Sequence, residues 1–124
     1  MAPLVAQGWA VASVDYRLTP VAPFPANVHD LKAAVRFLRA RHAEHGFAPE
    51  RIAIAGASAG AHLAAMLLAP GWQAAFGLPP DVVKAGVLVS GLYDLAPVQQ
   101  TTPNDWLALD SAEEYMLIAE ISNN

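Results

Sequence analysis

Apolar runs alternate with polar or proline-rich stretches along the chain, and their spacing predicts strands and helices in alternation. Three short runs, rich in apolar and β-branched residues, predict strands: WAVASVDY (9–16), RIAIA (51–55) and AGVLVS (85–90). Strands that alternate with helices favour a parallel sheet covered by helices. We therefore expect an α/β fold, a three-layer sandwich fragment with about three parallel strands and flanking helices.

Two further segments have helical spacing. In the first, four apolar residues recur along one face, namely Leu31, Ala34, Val35 and Leu38. Asn27 is a candidate N-cap with Asp30 as its capping-box partner, and Gly46 predicts the end of this helix. The second helix is predicted over AHLAAMLLA (61–69), while the prolines within 17–26 predict a loop.

Composition narrows the possible partners. The chain has 124 residues, of which 55% are hydrophobic and 15% charged, so it has more apolar side chains than one short domain easily hides. A net charge of -4 with scattered basic residues argues against a nucleic-acid partner. Cysteine is absent, which excludes thiolate metal sites, and we predict neither a metal nor another cofactor.

Membrane and export signals are weak in the same sequence. No apolar stretch reaches the roughly 18 residues of a membrane span, and the N-terminal run lacks a charged leader. We expect no membrane association and a cytoplasmic location. Residues after 100 contain five acids and no base, and we expect a short helix and a frayed tail over 111–124.

The stretch GASAG places Ser58 between Gly56 and Gly60, where a predicted strand meets a predicted helix. G-x-S-x-G in this context is typical of a nucleophile elbow, a sharp turn that projects the serine hydroxyl above the sheet edge. The two glycines are expected to remove side chains that would clash where strand and helix cross. The N–H of Ala59, at the start of the helix, is a candidate donor to an oxyanion.

Two other interpretations of GASAG stay open at this point. Small residues can form such a turn by chance in an alanine-rich chain. A nucleotide-binding α/β domain is also conceivable, because glycines at a helix start can hold a phosphate. The stretch lacks both G-x-G-x-x-G spacing and a P-loop lysine, so we favour a serine nucleophile.

Three segments carry a family resemblance: VDYRLTPVAPFPANVHDLKAAVRFLRA, PERIAIAGASAGAHLAAML and VLVSGLYDL. They resemble α/β-hydrolases of the esterase and lipase group, most closely the kynurenine formamidase (arylformamidase) branch, with feruloyl-esterase-like and hormone-sensitive-lipase-like branches close behind. The resemblance implies a partial α/β-hydrolase domain over 1–110. It also implies hydrolysis of a small carboxylic ester or N-formyl aryl amide, with Ser58 as nucleophile.

The rest of the catalytic triad is hard to place. The family orders its triad as serine, acid and histidine, and His62 is the one histidine after Ser58. Since His62 lies one turn along the same helix, local packing is a better expectation for it than the role of base. Asp94, in a loop after the third strand, is the best acid candidate, although a structural role is favoured. The lower-ranked acids are Asp105 and Asp110, and the histidines expected at the surface are His29, His42 and His45.

The resemblance also implies missing parts. The family's HGGG-type oxyanion loop has no counterpart before the run at 9–16, and APLVAQG resembles the tail of a family helix. We therefore expect a truncated central segment of a hydrolase. The alternative function is a catalytically inactive remnant or interaction module. Three parallel strands would leave two unpaired edges, through which the chain could oligomerise.

Overall fold

The computed structural model describes residues 2–22 and 24–94. Its helices and strands, in chain order, are α1 (Ala2–Ala6), α2 (Ala26–Ala40), α3 (His42–His45), β1 (Ile52–Ala57), α4 (Ala59–Leu68), a 3-10 turn (Ala74–Phe76) and β2 (Val83–Val89). The strands predicted at 51–55 and 85–90 and the helix predicted at 61–69 are confirmed, each within two residues of its observed ends. The tail predicted over 111–124 lies outside the described residues.

β1 and β2 form a parallel pair, joined through α4. Partnered residues in such a ladder point to the same side of the sheet, so the register defines two faces. On the covered face, towards α4, Ile54 lies opposite Gly86 and Gly56 opposite Leu88. The other face, called here the open face, consists of Ala53, Ala55, Ala57, Ala85, Val87 and Val89.

The strand predicted over 9–16 is absent. These residues take no helical or strand conformation, and the described part of the sheet has two strands where about three are expected. A strand forms only when a neighbour completes its hydrogen-bond ladder, and no described residue pairs with this segment. Its apolar side chains, including Trp9, Val11 and Val14, are consequently exposed.

Helix α2 begins without the capping box that the sequence predicts. Pro25 occupies the N-cap position and no side chain caps the helix. The Asn27 carboxamide oxygen instead accepts a hydrogen bond from the Val28 N–H, at 2.8 Å. The Asp30 carboxylate turns to Arg17, with guanidinium bonds of 2.7 and 2.9 Å. The end predicted at Gly46 is wrong for this helix, since α2 ends at Ala40 and Gly46, at a φ of 69°, ends the separate short helix α3.

Helix α4 forms the centre of the fold. It packs against both strands on one side and against α2 on the other. Every residue from Ala61 to Leu67 is buried. Leu67 belongs to an apolar cluster with Val35, Trp72, Leu78 and Val82, and the Trp72 indole N–H donates to the Leu67 carbonyl at 3.2 Å. This packing fixes the helix whose first turn follows Ser58.

Candidate active site

Ser58 alone forms the turn between β1, which ends at Ala57, and α4, which begins at Ala59. Its backbone has a φ of 53° and a ψ of -124°, a conformation that costs a non-glycine residue roughly 1–3 kcal/mol. Such strain persists only where the surroundings impose it. The side chain is exposed and makes no capping bond to the helix. The strand–turn–helix arrangement expected from the sequence is therefore present, with the hydroxyl at the carboxyl end of the sheet.

Backbone hydrogen bonds hold this turn on both sides. The Ser58 N–H donates to the Val89 carbonyl of the neighbouring strand at 2.8 Å. The Ser58 carbonyl accepts from the N–H groups of Ala61 and His62, at 3.0 and 3.2 Å. Both backbone polar groups of Ser58 are thus engaged, which leaves its side chain as the group available for chemistry.

The two glycines of GASAG differ. A Cβ atom at Gly56 would overlap the Gly60 carbonyl and would lie 2.8 Å from the Ala61 nitrogen, so this position excludes any side chain. A Cβ atom at Gly60 would meet no heavy atom of the described residues within 4 Å. The steric reason expected from the sequence is confirmed for Gly56 and is wrong for Gly60 within this part of the chain.

Ala59 is the first residue of α4, so its N–H has no acceptor inside the helix. It lies beside Ser58 at the positive end of the helix dipole, where unpaired N–H groups favour an anion. The arrangement is suited to a negative charge that develops next to the serine oxygen.

His62 is packed inside the fold. The residue is 7% exposed, and its ring tilts against the Phe24 ring, with the centroids 5.9 Å apart. Its Nδ1 atom lies 2.6 Å from the Leu92 carbonyl oxygen. Burial lowers the pKa of His62, and the bond to the Leu92 carbonyl opposes that shift. Among the described residues, no hydrogen bond joins this ring to the Ser58 hydroxyl.

The other three histidines lie in or beside α2 and α3. His29 and His45 are exposed as expected, whereas His42 is half-buried. Two of them have aromatic neighbours: His29 lies 5.1 Å from Phe76 and His42 lies 6.4 Å from Phe47, measured between ring centroids. None of these contacts places an imidazole at Ser58.

Asp94 follows β2 by five residues, in the loop where the sequence predicts it. Its side chain is exposed and interacts with another residue. Two residues earlier in the loop, the Leu92 carbonyl holds the His62 ring. Asp105 and Asp110 fall outside the described residues.

Ser90 is a feature that sequence reasoning missed. It follows β2 directly and has a φ of 55°, so the described residues contain two non-glycine residues at positive φ, Ser58 and Ser90. Both follow adjacent parallel strands. A serine–glycine pair directly after an apolar run signals a turn and could have marked this position. The Leu92 carbonyl is a backbone group and leaves no signal in the sequence.

Across residues 2–22 and 24–94, no three acidic or histidine side chains gather as metal ligands would. Within those ranges, too, no helix has both the length and the apolar content needed to cross a bilayer.

Comparison with known proteins places the chain in a family. The BD-FAE family matches residues 1–118. Esterase LipQ of Mycobacterium tuberculosis (strain ATCC 25618 / H37Rv) is 36% identical over 99 residues, covering 77% of this chain and 24% of LipQ. Kynurenine formamidase of Salmo salar is 33% identical over 107 residues, covering 86% of this chain and 34% of that enzyme. The chain thus spans about a quarter to a third of these relatives' lengths.

The fold has solved counterparts. The structure of a bacterial heroin esterase superposes with a TM-score of 0.62 at 38% sequence identity, covering 77% of this chain and 29% of that one. The resemblance to α/β-hydrolases seen in the sequence is confirmed by these matches. The chain belongs to the BD-FAE family and adopts part of the α/β-hydrolase fold.

Proposed function

We propose that this chain is the nucleophile-bearing part of a serine hydrolase that acts on small carboxylic esters or N-formyl aryl amides. The observation that carries the proposal is the strained, exposed Ser58 between β1 and α4, held by the Val89 carbonyl. A serine oxygen presented in this way, beside an unpaired helix N–H, is what acyl transfer needs.

In the proposed reaction, the Ser58 oxygen attacks the acyl carbon and forms a tetrahedral oxyanion. The N–H of Ala59 stabilises this oxyanion. A general base accepts the Ser58 proton as the oxygen attacks and returns it to the alcohol or amine as the bond to that group breaks, and the acyl group remains on the serine until water releases it. Gly56 contributes by allowing β1 and α4 to approach closely enough to form the turn.

The substrate class rests on the relatives. One is named an esterase and another a kynurenine formamidase, and both activities transfer an acyl group to water. The closeness of SAGAHLAAML and VSGLYDL to the formamidase branch makes N-formylkynurenine the substrate we favour over simple esters.

The mechanism also requires a general base. The serine proton must be accepted as the oxygen attacks, and no described histidine is hydrogen-bonded to Ser58. The second candidate function, an inactive remnant or interaction module, draws on the same observation. Four points stay predictions: the partial hydrolase domain over 1–110 with a tail over 111–124, the cytoplasmic location, association through sheet edges and a catalytic role for Asp94.

A hybrid enzyme separates the two candidates. The chain would replace the matched 107 residues of the Salmo salar formamidase, which supplies the remainder of the fold. We expect hydrolysis of N-formylkynurenine that Ser58→Ala reduces at least about a thousandfold. Ser13→Ala, at an exposed position outside the site, is the matched control and should keep full activity. A folded hybrid with no Ser58-dependent turnover would favour the inactive remnant.

The 124-residue chain by itself gives a complementary test. Because no imidazole is bonded to Ser58 in the described residues, we expect p-nitrophenyl acetate to be hydrolysed no faster than by the Ser58→Ala variant. A serine-dependent burst would contradict this expectation and would implicate His62 or a second copy of the chain.

A further inference from the structure

The His62 side chain joins three parts of the fold. It projects from α4, its ring packs against Phe24 in the loop before α2, and its Nδ1 atom binds the Leu92 carbonyl in the loop after β2. At 7% exposure it is among the few buried polar side chains of the described residues. A buried polar group in such a position needs a structural or functional reason.

The partner of the ring fixes its protonation. A carbonyl oxygen can only accept, so Nδ1 must carry the hydrogen in the 2.6 Å bond to Leu92. The Nε2 atom is buried and has no partner among the described residues. A charged ring would leave a second N–H unpaired in this position, which is costly. The neutral form with hydrogen on Nδ1 is therefore favoured.

A second hydrogen bond ties the end of β2, where this loop begins, to Ser58 at the start of the same helix. The Ser58 N–H donates to the Val89 carbonyl at 2.8 Å, three residues before the carbonyl that His62 holds. Between these two anchor points lies Ser90, at a φ of 55°. A strained backbone of this kind persists where the surrounding contacts over-determine it. The two anchors supply that constraint.

We propose that His62 is a positioning residue whose Nδ1–H, donated to the Leu92 carbonyl, holds residues 90–94 in place beside Ser58. The ring thus links the helix that follows the serine to the loop that carries the acid candidate Asp94. That this loop forms one wall of a catalytic site rests on the proposed function. The link itself is a property of the fold and can be tested without substrate.

Three substitutions separate the hydrogen bond from simple packing. His62→Asn keeps an N–H donor at the position of Nδ1, because both nitrogens are bonded directly to Cγ. His62→Gln moves the donor one carbon farther out, to the neighbourhood of Nε2. His62→Leu keeps apolar volume and removes the donor.

Nuclear magnetic resonance on the full chain provides two readouts. Nitrogen chemical shifts of the His62 ring should show a protonated Nδ1 and an unprotonated Nε2 at neutral pH. Backbone order parameters of Leu92 and Tyr93 should be near 0.85 in the parent and His62→Asn chains, and should fall below about 0.6 in His62→Leu. Order parameters within α4 serve as the internal control for the fold.

The NMR results expected above would support the proposal, and the opposite results would overturn it. A hydrogen on Nε2, or an ordered loop in His62→Leu, would overturn the proposal. So would a loop equally disordered in the Asn and Leu variants, because a donor at the Nδ1 position would then be insufficient. If His62→Leu does not fold, the Gln variant replaces it, and a loop as ordered with Gln as with Asn would also overturn the proposal. None of these readouts depends on turnover, so they stand apart from the hydrolase tests.

Discussion

The two faces of the β1–β2 pair are both apolar, yet they differ sharply in burial. On the covered face, Ile54 and Leu88 are partly buried beneath α4. On the open face, Val87 and Val89 are 64% and 54% exposed. Parallel sheets are almost always covered on both sides, and their strands are accordingly apolar on both. The apolar residues on both faces therefore indicate that both faces are suited to burial. Among the described residues, α4 covers one of them and nothing covers the other.

The largest loss in the free energy of unfolding is expected for a substitution at position 56, because this residue lies where α4 crosses the covered face. Gly56→Ala places a methyl group against the backbone of Gly60 and Ala61, so we expect a loss of about 3 kcal/mol in the free energy of unfolding. Gly60→Ala is the matched control. It has open space and a helical position, where alanine is preferred to glycine by about 1 kcal/mol. Urea unfolding would measure the free energy of unfolding of both variants, and equal values would contradict this prediction.

Two valines, one on each side of the sheet, should give losses of stability of intermediate size. Val82, in the apolar cluster against α4, is 2% exposed, and Val87 on the open face is 64% exposed. Val82→Ala removes two buried carbon groups and leaves a cavity, for an expected loss of about 2–3 kcal/mol. Val87→Ala should cost less than about 1 kcal/mol. Similar losses in thermal unfolding would mean that the open face is covered in solution.

The smallest expected effect concerns the ion pair between Arg17 and Asp30 at the surface of α2. Arg17, in the loop after the exposed run at 9–16, pairs with Asp30 of α2, and this lowers the pKa of Asp30 to about 2. Since the unfolded carboxyl titrates near 3.8, the pair stabilises the fold above that pH and its contribution disappears as the pH falls towards 2. The pair lies at the surface, with the Arg17 side chain 62% and the Asp30 side chain 22% exposed, so the effect should be small and weakened by salt.

Asp30→Asn supplies the control for this titration. The stability difference between the parent and this variant should be constant from about pH 5 upward and should shrink below pH 4, as measured by denaturant unfolding at each pH. A difference that persists at pH 2 would show that Asp30 acts through something other than its charge.

The elements nearest Ser58 are predictable because local signals agree there. RIAIA and AHLAAMLLA are apolar runs of strand and helix length separated by small residues, and the observed ends of β1 and α4 lie within two residues of the predicted ones. The run at 9–16 has the same apolar character but no partner strand among the described residues. A strand depends on its neighbours, so periodicity alone cannot establish one. Asp30 fails as a capping residue for a related reason, since a distant arginine binds it instead.

In the candidate site, too, some features are predictable from local sequence and others depend on distant contacts. The turn at Ser58 and the exclusion of side chains at Gly56 follow from a five-residue motif. The bond from His62 to Leu92 spans thirty residues and ends on a backbone carbonyl, which no side-chain pattern can reveal. The strain at Ser90 likewise depends on contacts made elsewhere in the chain.

The crowding at Gly56 has a consequence for protein engineering. If all five codons of GASAG were randomised and the folded clones collected, position 56 should return one amino acid, while position 60 should tolerate several. Directed evolution of this turn therefore has less freedom on its strand side than on its helix side.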